Sequence, residues 1–192
     1  MQRITESVFI TGTNAVGKSS LAHAILEQQG GIERFEKDVT YTKKGVVSFA
    51  GPYFDGHYQG VDRIRDDYGH SCTSRLAEVV REGLAHSDII ICEGSFMNTF
   101  GLNLTNAMFS ADRYLVVSLY CDKMELYRRL HQRNNGNKTD YDKVFKKQLQ
   151  ALRAARKWQR IGVRVLQYDT SSTPLDQLVA AVGGAIFDNV KQ

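Results

Sequence analysis

Residues 7–20 read SVFITGTNAVGKSS, and this stretch decides the fold. Ser7, Val8, Phe9, Ile10 and Thr11 form a short apolar run of the kind buried as a strand. Gly12-Thr13-Asn14-Ala15-Val16-Gly17-Lys18-Ser19 then satisfies G-x-x-x-x-G-K-[ST] at every specified position. Beyond it, Leu21, Ala24, Ile25 and Gln28 recur at helical spacing, and Gly30-Gly31 closes that helix. Strand, glycine-rich turn and helix in direct succession are the context a phosphate-binding loop requires. The glycines let successive N–H groups turn inward around an anion, and the helix presents its positive end to the same anion. The expected nucleotide-binding set is Gly12, Thr13, Asn14, Ala15, Val16, Gly17, Lys18, Ser19 and Ser20. Lys18 would reach the β- and γ-phosphates of ATP, and Ser19 would offer its hydroxyl to Mg²⁺. A dinucleotide fingerprint is excluded, because Asn14 stands where G-x-G-x-x-G needs glycine.

Outward from this loop, apolar runs at 88–92, 114–119 and 163–168 read as strands buried on both faces of a parallel sheet. Residues 41–49 read as a hairpin around Lys43-Lys44-Gly45, and 51–69 as loop. Helices are expected over 71–85, 123–133 and 141–160, the last with Phe145, Leu149 and Leu152 inward and most of its Lys/Arg outward. Trp158 on that helix reads as a packing residue, and Pro174 opens a final helix. Strands alternating with helices predict an α/β, three-layer P-loop NTPase fold with a parallel sheet of about five strands.

The 192 residues, with 42% hydrophobic and 24% charged, fit one domain over 1–192 and exclude a disordered chain. No run approaches the roughly 18–20 apolar residues of a membrane span, and residues 1–8 lack a secretory pattern. Cys72, Cys92 and Cys121 suit neither a disulfide framework nor a zinc site and read as reduced thiols, so a cytoplasmic location is expected. Residues 123–164 hold 13 Lys/Arg against three Asp/Glu, a local balance of +10 in a chain of net charge +4. The rest of the chain therefore sums to −6. Such asymmetry points either to a polyanionic partner or to a solvated basic helix face.

The strand at 88–92 ends in Glu93-Gly94. A carboxylate at the C-terminal edge of a parallel sheet, beside the phosphate-loop strand, can hold Mg²⁺ or take the proton of an attacking hydroxyl. Asp38 and Asp62 compete for the same role. Arg129 and Arg133, four apart on one helix face, are the candidate catalytic cations of a lid over about 128–142. Two GTPase signatures are present by letter, Asp66-Asp67-Tyr68-Gly69 and Asn137-Lys138-Thr139-Asp140, but neither follows an apolar strand. A kinase is the better reading.

Across nearly the whole chain the pattern resembles the nucleoside and nucleotide kinase superfamily. Phe49-Ala50-Gly51-Pro52-Tyr53, Tyr58-Gln59-Gly60-Val61-Asp62-Arg63-Ile64 and the strand ending in Glu93-Gly94 resemble, more narrowly, bacteriophage P-loop kinases. That resemblance implies phosphorylation of 5-hydroxymethyluracil in phage DNA, with Gln59 standing where the family has the first glycine of a pair. It also implies that Tyr53 and Asp62 touch the acceptor and that Glu93 sits at the catalytic centre. Asp38, Tyr58 and Arg63 complete the candidate acceptor set, within an insertion over about 38–70. Tyr53 and Tyr58 could stack on an unpaired base. A deoxynucleoside monophosphate kinase, another small-molecule kinase, and a nucleotide-gated binding protein without phosphotransfer stand as alternatives.

Overall fold

The computed structural model describes residues 4–28, 39–41, 45–50, 80, 81, 84, 89–94, 98, 100–134 and 140–187. In chain order these form β1 (Glu6–Thr11), α1 (Lys18–Gln28), β2 (Val39–Tyr41), β3 (Gly45–Ala50), β4 (Ile89–Glu93) and α2 (Leu102–Met108). β5 (Arg113–Tyr120), α3 (Lys123–Arg133), α4 (Tyr141–Arg160), β6 (Arg164–Asp169) and α5 (Leu175–Phe187) follow. The strands make one six-stranded sheet in the order β2-β3-β4-β1-β5-β6. β4, β1, β5 and β6 run parallel. β4 and β1 are buried throughout, but β6, expected to be buried on both faces, is the edge strand, and each of its residues is exposed or half-buried. β3 lies antiparallel to β4, and β2 antiparallel to β3. The hairpin expected near 41–49 thus extends the parallel sheet at one edge instead of standing apart from it. A connection as short as that between β2 and β3 can only reverse the chain.

β1 lies at the centre, with Val8 paired to Ile91 on one side and Leu115 on the other. Every β1 residue is buried, and its alternate side chains feed two cores. Val8 and Ile10 pack with Leu21 and Ile25 of α1 and with Val179 and Val182 of α5. Phe9 packs on the opposite face with Cys92, Met108, Val116 and Trp158. Helices therefore cover both faces of the sheet, and the three-layer α/β expectation holds. Among the described residues no helix is long and apolar enough to cross a membrane.

Two readings of helices need correction. α4 presents Val144, Gln148, Ala151, Ala155 and Trp158 inward, a run of alternating four- and three-residue steps. Leu149, expected inside, is 38% exposed, and Phe145 and Leu152 are half-buried. Small alanines win the inner face because they let the helix backbone approach the sheet closely. The sequence spacing does not predict α2, a helix of seven residues that buries Leu104, Ala107 and Met108 on one face while Leu102 stays 75% exposed. Of the helix expected at 71–85, only residues 80, 81 and 84 are described, and those are helical. Pro174 precedes α5 as expected, its carbonyl accepting the Leu178 N–H at 3.1 Å.

Candidate active site

The loop between β1 and α1 adopts a conformation that its sequence demands. Gly12 has φ +140°, and a Cβ there would fall 2.5 Å from the Leu119 carbonyl oxygen and 2.7 Å from Val16 Cγ2. Glycine is required twice over, by dihedral and by space. Gly17, at φ +88°, meets nothing within 4 Å, so there the dihedral alone selects glycine. Ala15 is left-handed at φ +63°, at a cost of roughly 1–2 kcal/mol. The Gly17 carbonyl accepts the Leu21 N–H at 2.9 Å and so starts α1. The first-turn N–H groups beyond it have no intrahelical acceptor, which is the geometry that receives anions.

Lys18 is only 8% exposed, and its Nζ donates to the Thr13 carbonyl at 2.7 Å. Burial pulls its pKa down to about 8, with Glu93 opposing the shift and Arg133 adding to it. The Thr13 hydroxyl donates in turn to the Val144 carbonyl in the first turn of α4, at 3.1 Å. Ser19 Oγ donates to Glu93 Oε1 at 2.8 Å, and Glu93 is 5% exposed. β1 and β4 are register neighbours through Ile10 and Glu93, which is how the sheet brings the carboxylate to the start of α1. One hydroxyl and one carboxylate oxygen, beside a phosphate loop, are the oxygen donors Mg²⁺ takes when phosphates and waters complete its shell. The pair expected to hold the metal is therefore assembled.

A pocket of about 760 Å³ opens over this loop, lined by Ala15, Gly17, Lys18, Ser19 and Ser20 on one side and by Arg129, Gln132 and Arg133 of α3 on the other. The two arginines differ. Arg129 donates to Glu125 Oε1 at 2.7 Å, to Thr170 Oγ1 at 2.9 Å and to the Thr170 carbonyl at 2.7 Å. It is a strut between α3 and the turn after β6 as much as a pocket wall. Arg133, one turn on, lies close enough to Lys18 to depress its pKa. The legs flanking the expected lid are tied together: Tyr127 Oη donates to Asp142 at 2.8 Å, and the Tyr127 and Tyr141 rings lie 5.0 Å apart.

The structure thus brings together Lys18, Ser19, Glu93, Arg129 and Arg133. Asp38, Tyr53, Tyr58, Asp62 and Arg63 lie outside the described residues. Asp140, the last letter of the GTPase-like signature, caps α4 by accepting the Lys143 N–H at 2.9 Å. That is a helix-capping role, not a base-reading one. Lys143, Lys146, Arg153, Arg156, Lys157 and Arg160 are exposed on α4, and none of them lines the phosphate pocket. Asn98, Gln132 and Thr170 escaped the sequence reading. Asn98 Oδ1 accepts the Gly12 N–H at 2.8 Å.

Fold and site together define a P-loop protein. The chain belongs to the AAA domain family AAA_18, which it matches over residues 8–150. Among solved structures it is similar to a gluconokinase from Sinorhizobium meliloti 1021, at 17% identity and a TM-score of 0.54, covering 99% of this chain and 98% of that one. It is also similar to a sugar kinase from Janibacter sp. HTCC2649 at 14% identity and a TM-score of 0.52, covering 96% and 95%. At those identities the likeness is one of fold. No curated protein matches the sequence. The narrower resemblance to phage DNA kinases receives no support from these comparisons.

Proposed function

We propose that the chain is an ATP-dependent kinase that phosphorylates a hydroxyl of a small molecule, with a sugar or sugar acid as the first acceptor class to test. One observation carries this reading: the Ser19–Glu93 pair at 2.8 Å stands at the start of α1, with Lys18 in the same loop and Arg133 across the pocket. The likeness in fold to a gluconokinase and a sugar kinase favours the small-molecule acceptor over the alternatives. Loop amides and Lys18 would hold the β- and γ-phosphates, while Arg133 would meet the charge that spreads over the transferred group. Glu93 would accept the proton of the acceptor hydroxyl as its oxygen bonds to the γ-phosphorus and the bond to ADP breaks. Ser19 and Glu93 are also the residues that would hold Mg²⁺, which supplies charge neutralisation at the β- and γ-oxygens.

A second reading is phosphorylation of 5-hydroxymethyluracil in DNA. The exposed basic face of α4 favours it, since such a face suits a phosphate backbone. A deoxynucleoside monophosphate is a third acceptor, compatible with the same phosphate machinery. Labelled ATP offered with gluconate, a sugar panel, deoxynucleoside monophosphates and DNA containing 5-hydroxymethyluracil separates them. Label on a small carbohydrate supports the main reading, and label only on DNA, with activity falling steeply in salt, replaces it. A nucleotide-binding protein without phosphotransfer would label nothing, and its ATP-dependent behaviour would survive Glu93→Gln.

A further inference from the structure

We propose that Asn98 is a positioning residue that sets the first peptide of the phosphate loop, and that its neutral carboxamide is needed for tight nucleotide binding. The inference rests on the loop's binding a nucleotide but goes beyond it to a residue that no motif contains. Asn98 lies five residues beyond Glu93, at the strand end that supplies the carboxylate, and is 5% exposed. The Gly12 N–H can only donate, so the side-chain atom 2.8 Å from it must be the carboxamide oxygen. This contact fixes the residue at which β1 leaves the sheet, in the φ +140° conformation that packs Gly12 against Leu119.

The other half of the carboxamide points to a ligand or a water. Asn98 Nδ2 is buried with no hydrogen-bond partner among the described residues, and so are the hydroxyls of Thr11 and Ser118. Thr11 precedes Gly12, and Ser118 is its register neighbour on β5. Two unused hydroxyls are thus register neighbours at the end of β1, and the unused N–H donor belongs to the side chain that holds the next residue, Gly12. A buried polar group left unpaired costs about 1–3 kcal/mol, and such groups are the setting in which an ordered water or a ligand oxygen is held. A carboxylate in place of the carboxamide would keep an acceptor for Gly12 but lose the donor and add a charge beside the phosphates. Protonated, the same carboxyl would restore both an acceptor and a donor.

Asn98→Leu and Asn98→Asp test this by titration calorimetry with MgATP from pH 5 to 8, each dissociation constant divided by the wild-type value at the same pH. Melting temperatures are recorded alongside. Asn98→Leu is expected to weaken binding about tenfold or more at every pH. Asn98→Asp is expected to be weakened comparably at pH 8 and to recover toward the wild-type value as the carboxyl protonates on the way to pH 5. A lower melting temperature with an unchanged ratio in Asn98→Leu overturns the proposal, because it reveals a packing role alone. An Asn98→Asp ratio equal to wild type at pH 8 overturns it as well, because a charged carboxylate would then serve as well as the carboxamide. Should the wild-type chain itself bind no MgATP, the fault lies in the kinase reading, and the Asn98→Leu ratio has no reference.

Discussion

Ser19 Oγ and Glu93 Oε1, 74 residues apart in the chain, meet at 2.8 Å and join the first turn of α1 to the end of β4. The contact exists because β1 and β4 are parallel neighbours, so their C-terminal ends open on the same crevice.

Glu93→Gln keeps the size of the side chain and an oxygen for Ser19 but removes the charge and the proton acceptor. Turnover is expected to fall about 10²–10⁴-fold, with the dissociation constant for ATP changing much less. Steady-state kinetics beside calorimetry checks this, and a turnover within a few-fold of wild type refutes the role of Glu93.

Lys18→Met should abolish transfer and yet stabilise the fold near neutral pH. Burial lowers the Lys18 pKa from 10.5 to about 8, so between those values the folded chain binds fewer protons than the unfolded one. Stability contributed through this group therefore rises with pH across that window. Below pH 8 the burial penalty is present in full, on the order of 3 kcal/mol. Unfolding in denaturant should show Lys18→Met more stable than wild type at pH 7 and the gap narrowing toward pH 10. A variant less stable at pH 7 would show that the Lys18–Thr13 contact outweighs the cost of burial.

Arg129 and Arg133 should separate in their effects. Arg129→Ala removes both guanidinium contacts to Thr170 and leaves Glu125 with Arg128 alone, so a lower melting temperature should accompany any loss of activity. Arg133→Ala should lower turnover by at least tenfold with little change in melting temperature. Parallel melting curves and kinetics decide, and identical profiles for the two variants would contradict the division of labour.

Gln148 is buried on α4 and clasps the backbone of Cys121, accepting its N–H at 3.1 Å and donating to its carbonyl at 2.8 Å. Gln148→Leu keeps the bulk but orphans both groups at the turn between β5 and α3. A loss of about 1–3 kcal/mol is expected, equivalent to roughly 2–12 °C in melting temperature. A melting temperature equal to wild type would show that Cys121 has found other partners.

Much of this was legible from residues 7–20 and from the apolar runs, which are too short for helices and rich in β-branched residues. β1, β4, β5 and β6 lie within a residue or two of their expected positions, and Lys18, Ser19 and Glu93 meet as their motif and strand end implied. What sequence could not give is local in space but distant along the chain. Asn98 follows Glu93 with no recurring spacing to single it out, and its partner Gly12 lies 86 residues away. Arg129 carries the same signal as Arg133, and only the position of Thr170, in the turn after β6, sets them apart. In α4 Phe145, Leu149 and Leu152 are the larger apolar side chains, yet Ala151 and Ala155 are the ones buried. The acceptor class could not be read at all from the phosphate loop, which serves any kinase equally.

β1 occupies the middle of the sheet, hydrogen-bonded on both sides, and the phosphate loop hangs from its end. A catalytic centre suspended from an edge strand could fray while the remainder of a protein held firm. This one has no such independence. On gradual heating, ligand affinity and secondary structure should vanish within one cooperative step, so the temperature at which the enzyme inactivates becomes a direct gauge of its global unfolding.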